Sequence, residues 1–194
     1  MQYFEENKEL KDNEQTLIIN FNNKKYRLLT NDGIFSKDKF DYGSRLLLEI
    51  IIKENITGKV LDLGCGYGII GLIIADHYPK SKVDMVDITD RAVNLSKKNT
   101  KSLNNVKVFK SNIYDSITDK YDYIITNPPI RAGKEVIKEF LIGAKDHLER
   151  TGKLYFVMRK NHGVKTMINI LKEYYEVTIE TKSKGFYIVK CTQK

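Results

Sequence analysis

The chain has 194 residues, 41% of them hydrophobic, which suits one domain with a sizeable core. With 33 basic against 25 acidic side chains, its net charge of +8 favours an anionic partner such as RNA or DNA, although a lysine-rich surface alone would give the same sum. No apolar run is long enough for a bilayer, the start Met1-Gln2-Tyr3-Phe4-Glu5-Glu6 lacks a signal-peptide layout, and two cysteines are too few for a disulfide framework. The expectation is a cytoplasmic protein with reduced thiols and no membrane partner. His77, His147 and His162 are scattered without metal spacing, so they read as surface residues and no metal is expected.

Residues 5–14 are polar and charged and predict a loosely held start. Residues 16–21 and 25–30 flank Asn22-Asn23, and asparagine tolerates positive φ, so they predict a β-hairpin. A loop over 31–43 follows, and Ser44 can cap a helix carrying Leu46, Leu47, Leu48, Ile50, Ile51 and Ile52. Strand and helix signals then alternate. Strands are expected over 60–63, 83–86, 106–109, 121–126 and 154–158. Helices are expected over 69–78, from Thr89 or Asp90 to about 103, over 134–148 with Gly152 ending the last, and over 164–174. Two closing strands, 176–180 and 186–190, complete the chain. The alternation predicts an α/β fold with a mainly parallel, doubly wound sheet, and no linker divides 44–194. The expectation is a single domain over 1–194, in which 1–43 form an extension with a hairpin and 44–194 the core.

Residues 58–68 carry most of the chemistry. A short apolar strand reaches Asp62, then Gly64, Gly66 and Gly68 alternate, and an apolar helix follows at once. Glycines let a backbone approach a ligand closely, and a helix start offers free N–H groups. Two readings compete. Gly66-Tyr67-Gly68-Ile69-Ile70-Gly71 matches a dinucleotide loop, with Asp87 closing the next strand as an acid for ribose hydroxyls. The fuller pattern, Asp-x-Gly-x-Gly-x-Gly, places a carboxylate where a pyrophosphate would be repelled and an ammonium group welcome. S-adenosyl-L-methionine carries a sulfonium and an ammonium and no phosphate, so Asp62 shifts the reading toward that cofactor. Asp87 suits the ribose under either. Cys65, inside the loop, reads as a small filler, which disfavours covalent cytosine-C5 chemistry.

Asn127-Pro128-Pro129-Ile130 follows the fourth strand of the parallel set. Two prolines remove two N–H donors and stiffen the loop, so the Pro128 carbonyl keeps a fixed direction. With the Asn127 amide oxygen it forms a pair of acceptors for one planar amine. Hydrogen bonds to such an amine help free its lone pair for attack on a methyl group, and the rest of the task is in-line positioning.

On these residues the chain resembles the class I S-adenosylmethionine-dependent methyltransferases of the "methyltransferase small domain" family, which includes small-subunit ribosomal RNA guanine-N2 methyltransferases. The resemblance covers about residues 26–192. It rests on Gly33–Ser36 with Asp41–Ser44, on Asp62–Gly68, on the run Asn127–Lys134, and on Lys184-Gly185-Phe186-Tyr187. It implies a Rossmann-like sheet of seven strands whose last strand is antiparallel. It also implies that Asp62, Gly64, Cys65, Gly66, Gly68, Asp87, Ile88, Asn112 and Ile113 line the cofactor, that Phe35 and Ser36 lie over it, and that Asn127 and Pro128, with Pro129 and Ile130, hold the target amine. Arg131, Lys134, Arg159 and Lys160 are candidates for phosphate contacts with an RNA.

Three departures bear on this. Asn112 stands where many relatives have Asp against the adenine amine, and its carbonyl oxygen can still accept that bond. Ile130 stands where adenine and glutamine methyltransferases often carry an aromatic, so stacking on the target base would be weaker or come from elsewhere, such as Phe35 or Tyr67. Some ribosomal RNA relatives carry an extra N-terminal domain, and recognition that depends on it is not carried over. The expected activity is methylation of an exocyclic amine, foremost guanine N2 in ribosomal RNA. Adenine N6 and protein glutamine N5 are the alternatives within that chemistry. A nicotinamide-dependent oxidoreductase and a non-catalytic RNA-binding module are the alternatives outside it.

Overall fold

The computed structural model describes residues 13–31 and 40–194. A two-stranded hairpin, β1 (Glu14–Phe21) and β2 (Lys24–Asn31), comes first and turns at Asn22 and Asn23, both with positive φ as expected. The main sheet holds β3 (Lys59–Leu63), β4 (Lys82–Asp87), β5 (Val106–Lys110), β6 (Tyr121–Thr126), β7 (Leu148–Arg159), β8 (Tyr175–Ser183) and β9 (Phe186–Gln193). Their order is β5-β4-β3-β6-β7-β9-β8, with β9 antiparallel to both neighbours and the other pairs parallel. The expected seven-stranded sheet with an antiparallel last strand is therefore present.

Helices α1 (Tyr42–Ile51), α2 (Ile69–His77) and α3 (Asp90–Thr100) cover one face together with the hairpin. Helices α4 (Lys134–Ile142), α5 (Ala144–His147) and α6 (Val164–Leu171) cover the other. Asn99 on α3 ties the hairpin down: its Oδ1 accepts from Leu29 N at 2.7 Å, and its Nδ2 donates to Leu29 O and to Tyr67 O. One side chain thus joins the hairpin to the glycine loop. Among the described residues no helix is long and apolar enough to cross a membrane.

Four expectations about elements need correction. Ser44 does not cap α1. The cap is Asp41, whose carboxylate accepts from Ser44 N at 2.9 Å. The helix predicted over 134–148 stops at Ile142, and a short α5 follows Gly143. Gly152 lies inside β7 rather than at a helix end, because the strand already begins at Leu148, opposite Tyr121. A Cβ on Gly152 would sit 2.8 Å from Tyr121 O, so the glycine serves a close approach between strands at their irregular register. The helices predicted to run to 78, 103 and 174 end at His77, Thr100 and Leu171.

Candidate active site

The carboxyl ends of β3, β4, β5, β6 and β7 meet at one edge of the sheet, where an open α/β sheet places its ligands. A cavity of about 580 Å³ opens there. Its wall includes Gly64, Cys65, Gly66, Asp87, Ile88, Asn112 and Ile113 from the expected cofactor set, and Asn127, Pro128, Pro129, Ile130, Arg131 and Arg159 from the expected acceptor set. The two loops that the sequence singled out therefore share one cavity.

The glycine loop is tied to β4. Gly64 N and Cys65 N both donate to Val86 O at 2.9 Å, and Gly66 N donates to Asp87 Oδ2 at 3.0 Å. Gly64 has φ +74, and a Cβ there would meet the Phe140 ring at 3.1 Å. A Cβ on Gly66 would meet no protein atom within 4 Å, so this position leaves open space at the cavity wall. The Cys65 thiol is buried and pushed well up by that burial, so it stays protonated and unreactive.

Asp62 is not on the cavity wall. It is 1% exposed and lies behind the loop, where Oδ2 accepts from Gly71 N at 2.8 Å in the first turn of α2. Its Oδ1 has no hydrogen-bond partner among the described residues. Burial, with a smaller contribution from the Asp87 charge and against the Gly71 bond, pushes its pKa up to about 7. Gly64, Cys65, Gly66, Gly68 and Gly71 already donate within the protein, while the N–H groups of Tyr67, Ile69 and Ile70 have no acceptor among the described residues. Two carboxylates stand beside that loop. A phosphate would be repelled by the carboxylate charge beside the loop, whereas a cationic group would be drawn to it.

Asp87 ends β4 facing the cavity. Its Oδ1 accepts from Thr89 N at 3.0 Å and Thr89 Oγ1 at 3.1 Å, while Oδ2 takes only Gly66 N and keeps a lone pair for a ligand hydroxyl. Asn112 donates through Nδ2 to Asp115 Oδ2 at 3.0 Å, which turns its carbonyl oxygen into the remaining acceptor. Ile113 holds φ +49, a strained conformation for a β-branched residue, and its N–H has no acceptor among the described residues.

At the other end, Asn127 donates through Nδ2 to Ser44 Oγ at 2.9 Å and to Asp41 Oδ2 at 3.2 Å. A carboxylate can only accept, so the amide nitrogen must face Asp41 and the carbonyl oxygen must face away from it. The Pro128 carbonyl has no protein donor among the described residues. Pro129 O accepts from Ala132 N at 2.9 Å and begins a short 3-10 turn over Ile130–Ala132. Asn127 Oδ1 and Pro128 O remain as two acceptors on one loop.

Several expected residues fall elsewhere. Gly68 is the left-handed N-cap of α2, and Lys134 and Lys160 are exposed; none of the three is on the cavity wall. Phe35 and Ser36 lie outside the described residues. Among the three histidines expected at the surface, His162 lines the cavity, and His147 is half-buried and stacked on Tyr114 at 4.4 Å. Sequence reasoning also gave no role to Asp41, Ser44, Thr89 or Phe186 in the cavity, and all four are on its wall. Asp41 and Ser44 belong to a recognisable sequence run, yet only the fold brings them to Asn127 across 86 and 83 residues of chain.

Comparison with known proteins agrees with this geometry. The model of the methyltransferase small domain matches residues 25–190. An uncharacterized protein of Bacillus subtilis, YbxB, is 37% identical over 193 residues, 97% of this chain and 96% of that protein. Ribosomal RNA small subunit methyltransferase C of Psychromonas ingrahamii is 31% identical over 186 residues, 93% of this chain and 52% of that enzyme. The chain thus spans nearly all of the first relative and about half the length of the second. The T. thermophilus 16S rRNA N2 G1207 methyltransferase, solved with AdoMet and guanosine, shares the fold: TM-score 0.83, 22% identity, 93% of this chain and 51% of that one.

Proposed function

The chain belongs to the methyltransferase small domain family, and from that premise we propose that it transfers the methyl group of S-adenosyl-L-methionine to an exocyclic amine, namely guanine N2 in ribosomal RNA. The observation that carries this reading is the fixed Asn127 amide beside the unpartnered Pro128 carbonyl, in the same cavity as the glycine loop.

The residues fit the cofactor. The open space at Gly66 admits it, Asp87 keeps a lone pair for a ribose hydroxyl, and Asp62, buried with one oxygen unpartnered, favours a cationic ligand once ionised. Asn112 Oδ1 and Ile113 N–H would take the adenine edge. When bound, the cofactor supplies an electrophilic methyl group on sulfur. Asn127 Oδ1 and Pro128 O accept the two N–H bonds of the target amine, which orients its lone pair and raises its electron density. No side chain needs to act as a strong base, because the amine becomes acidic only after it has formed its new bond. The proline pair and the Asp41–Ser44 clamp hold both acceptors before substrate arrives, so little reorganisation is left to the reaction.

Guanine in ribosomal RNA is favoured over the other amines by the relatives named ribosomal RNA small subunit methyltransferase C. Ile130, on the cavity wall, offers a target ring an aliphatic surface instead of an aromatic one. Arg131 and Arg159, also on the wall, suit the phosphates on either side of an extruded nucleotide. The test is methyl transfer from labelled cofactor to RNA, DNA and protein fractions: label in the RNA supports the reading, and label confined to protein or DNA rejects it.

A further inference from the structure

At the edge of the sheet opposite the cavity, Lys59, Lys82 and Lys107 share a shallow concavity with Asp84 and Asp119; Lys59 pairs with Asp119 at 2.9 Å, and Lys107 lies over the Phe109 ring at 4.8 Å. At the cavity edge, Arg159, Lys182 and Lys184 have no carboxylate within ion-pair distance among the described residues. Each instead lies over an aromatic ring: Arg159 over Phe186 at 4.8 Å, Lys184 over Tyr42 at 4.8 Å and Lys182 over Tyr187 at 5.1 Å. Phe186 and Tyr42 are themselves in contact, with centroids 5.6 Å apart.

These rings and cations therefore form a continuous ladder, Arg159–Phe186–Tyr42–Lys184. It starts on the cavity wall, where Arg159 and Phe186 sit, and runs outward to the tip of the β8–β9 hairpin. The tip is rigid in form: Lys184 and Gly185 both have positive φ in a two-residue turn, and Tyr42 Oη is bonded to Ser183 Oγ at 2.7 Å. Rings beneath the cations hold them at fixed places without neutralising them. A fixed, unneutralised row of cations interleaved with rings fits a phosphate backbone carrying bases, which is the chemistry of single-stranded nucleic acid.

We infer that this ladder, together with Lys182 on Tyr187 beside it, is the track for the single-stranded RNA segment next to the acceptor nucleotide, with Lys182 and Lys184 taking phosphates outside the cavity. The inference rests on the proposed RNA methylation and extends it to the hairpin, which lies beyond the reacting groups.

The test compares the wild-type chain with a Lys182→Glu/Lys184→Glu variant and with Lys80→Glu, an exposed lysine in the turn before β4 at the opposite edge. Binding of a short guanine-containing oligoribonucleotide is followed by fluorescence anisotropy over a salt series, and cofactor binding by calorimetry. The hairpin variant should bind the RNA at least about tenfold more weakly, the worth of a charged hydrogen bond. Its slope of log affinity against log salt should shrink by about 0.7 for each phosphate that the variant no longer neutralises. Cofactor binding should stay unchanged, which also reports that the variant is folded, and Lys80→Glu should match the wild type. Equal affinity and slope in both variants would overturn the ladder. So would an equal loss of binding to polyglutamate, which would make the face a general anion exchanger. Methyl transfer is read separately. If the wild type binds RNA through the hairpin but labels only protein, the function reading fails, and with it the ladder's place beside an acceptor nucleotide, while the hairpin's contact with RNA stands. If it labels RNA with the KM unchanged in the hairpin variant, the ladder fails alone.

Discussion

The Asn127 amide nitrogen donates to Ser44 Oγ at 2.9 Å, across 83 residues of chain, in a clamp whose other acceptor, the Asp41 carboxylate, decides which end of the amide a ligand meets. The glycine loop makes room for a cofactor, but this clamp makes one acceptor out of an ambiguous side chain. Asp41 adds the second hydrogen bond and caps α1, so the helix start and the acceptor share one carboxylate.

Removal of the clamp should slow the reaction without loosening the cofactor. Ser44→Ala leaves Asn127 held by Asp41 alone. A weakened orienting bond of about 1–2 kcal/mol lowers kcat roughly 5- to 30-fold. Asn127→Ala removes the acceptor itself and should cost about 100-fold or more. Single-turnover kinetics with calorimetry of cofactor binding check both; a matching loss of cofactor affinity in Ser44→Ala would place the clamp's effect elsewhere.

Asp62 makes stability depend on pH with an unusual sign. Its pKa rises on folding from the ordinary 3.8 to about 7. Between these values the folded chain holds a proton that the unfolded chain has lost, so stability falls as pH rises from about 4 to about 7. The contribution is on the order of 1–4 kcal/mol. Denaturant unfolding across this range should show the decline, and Asp62→Asn should flatten it. A cationic ligand favours the ionised carboxylate, so cofactor binding should release protons and be tighter at about pH 8 than at about pH 6. Calorimetry in buffers of different ionisation enthalpy reads that release directly.

Asn99 should behave as a joint. Asn99→Ala leaves Leu29 and the Tyr67 carbonyl without their partners, at a cost of about 1–3 kcal/mol. Hydrogen exchange should rise in β2 and in the glycine loop together. A rise confined to β2 would show that the hairpin is not coupled to the loop.

Gly64→Ala is strained twice, by φ +74 and by Phe140 at 3.1 Å. A loss of roughly 1–3 kcal/mol in stability is expected, with weaker cofactor binding. Thermal unfolding with and without cofactor measures both.

The architecture is legible in the sequence because periodicity and turn chemistry are local. Strand and helix runs alternate, and Asn22-Asn23 suits a tight turn. The cavity is legible through the glycine loop and Asn127-Pro128-Pro129, whose backbone demands are local too. The place of Asp62 differs from the expectation, although the signal for it is present. Side chains alternate along a strand, Leu61 and Leu63 pack on the α4–α6 face, and so Asp62 shares the α2 face with Val60. The end of the 134–148 helix is ambiguous in sequence because Leu148 is apolar and buried in a helix or a strand alike. The Asp41–Ser44 clamp and the aromatic ladder join residues far apart in the chain, and no local pattern encodes such pairings.

The most direct test of methyl transfer to guanine N2 is nucleoside mass spectrometry of ribosomal RNA incubated with the chain and isotopically labelled S-adenosyl-L-methionine. Labelled N2-methylguanosine, present with the wild type and absent with Asn127→Ala, is the predicted result. Label in N6-methyladenosine, no label in RNA, or equal label with Asn127→Ala would contradict it.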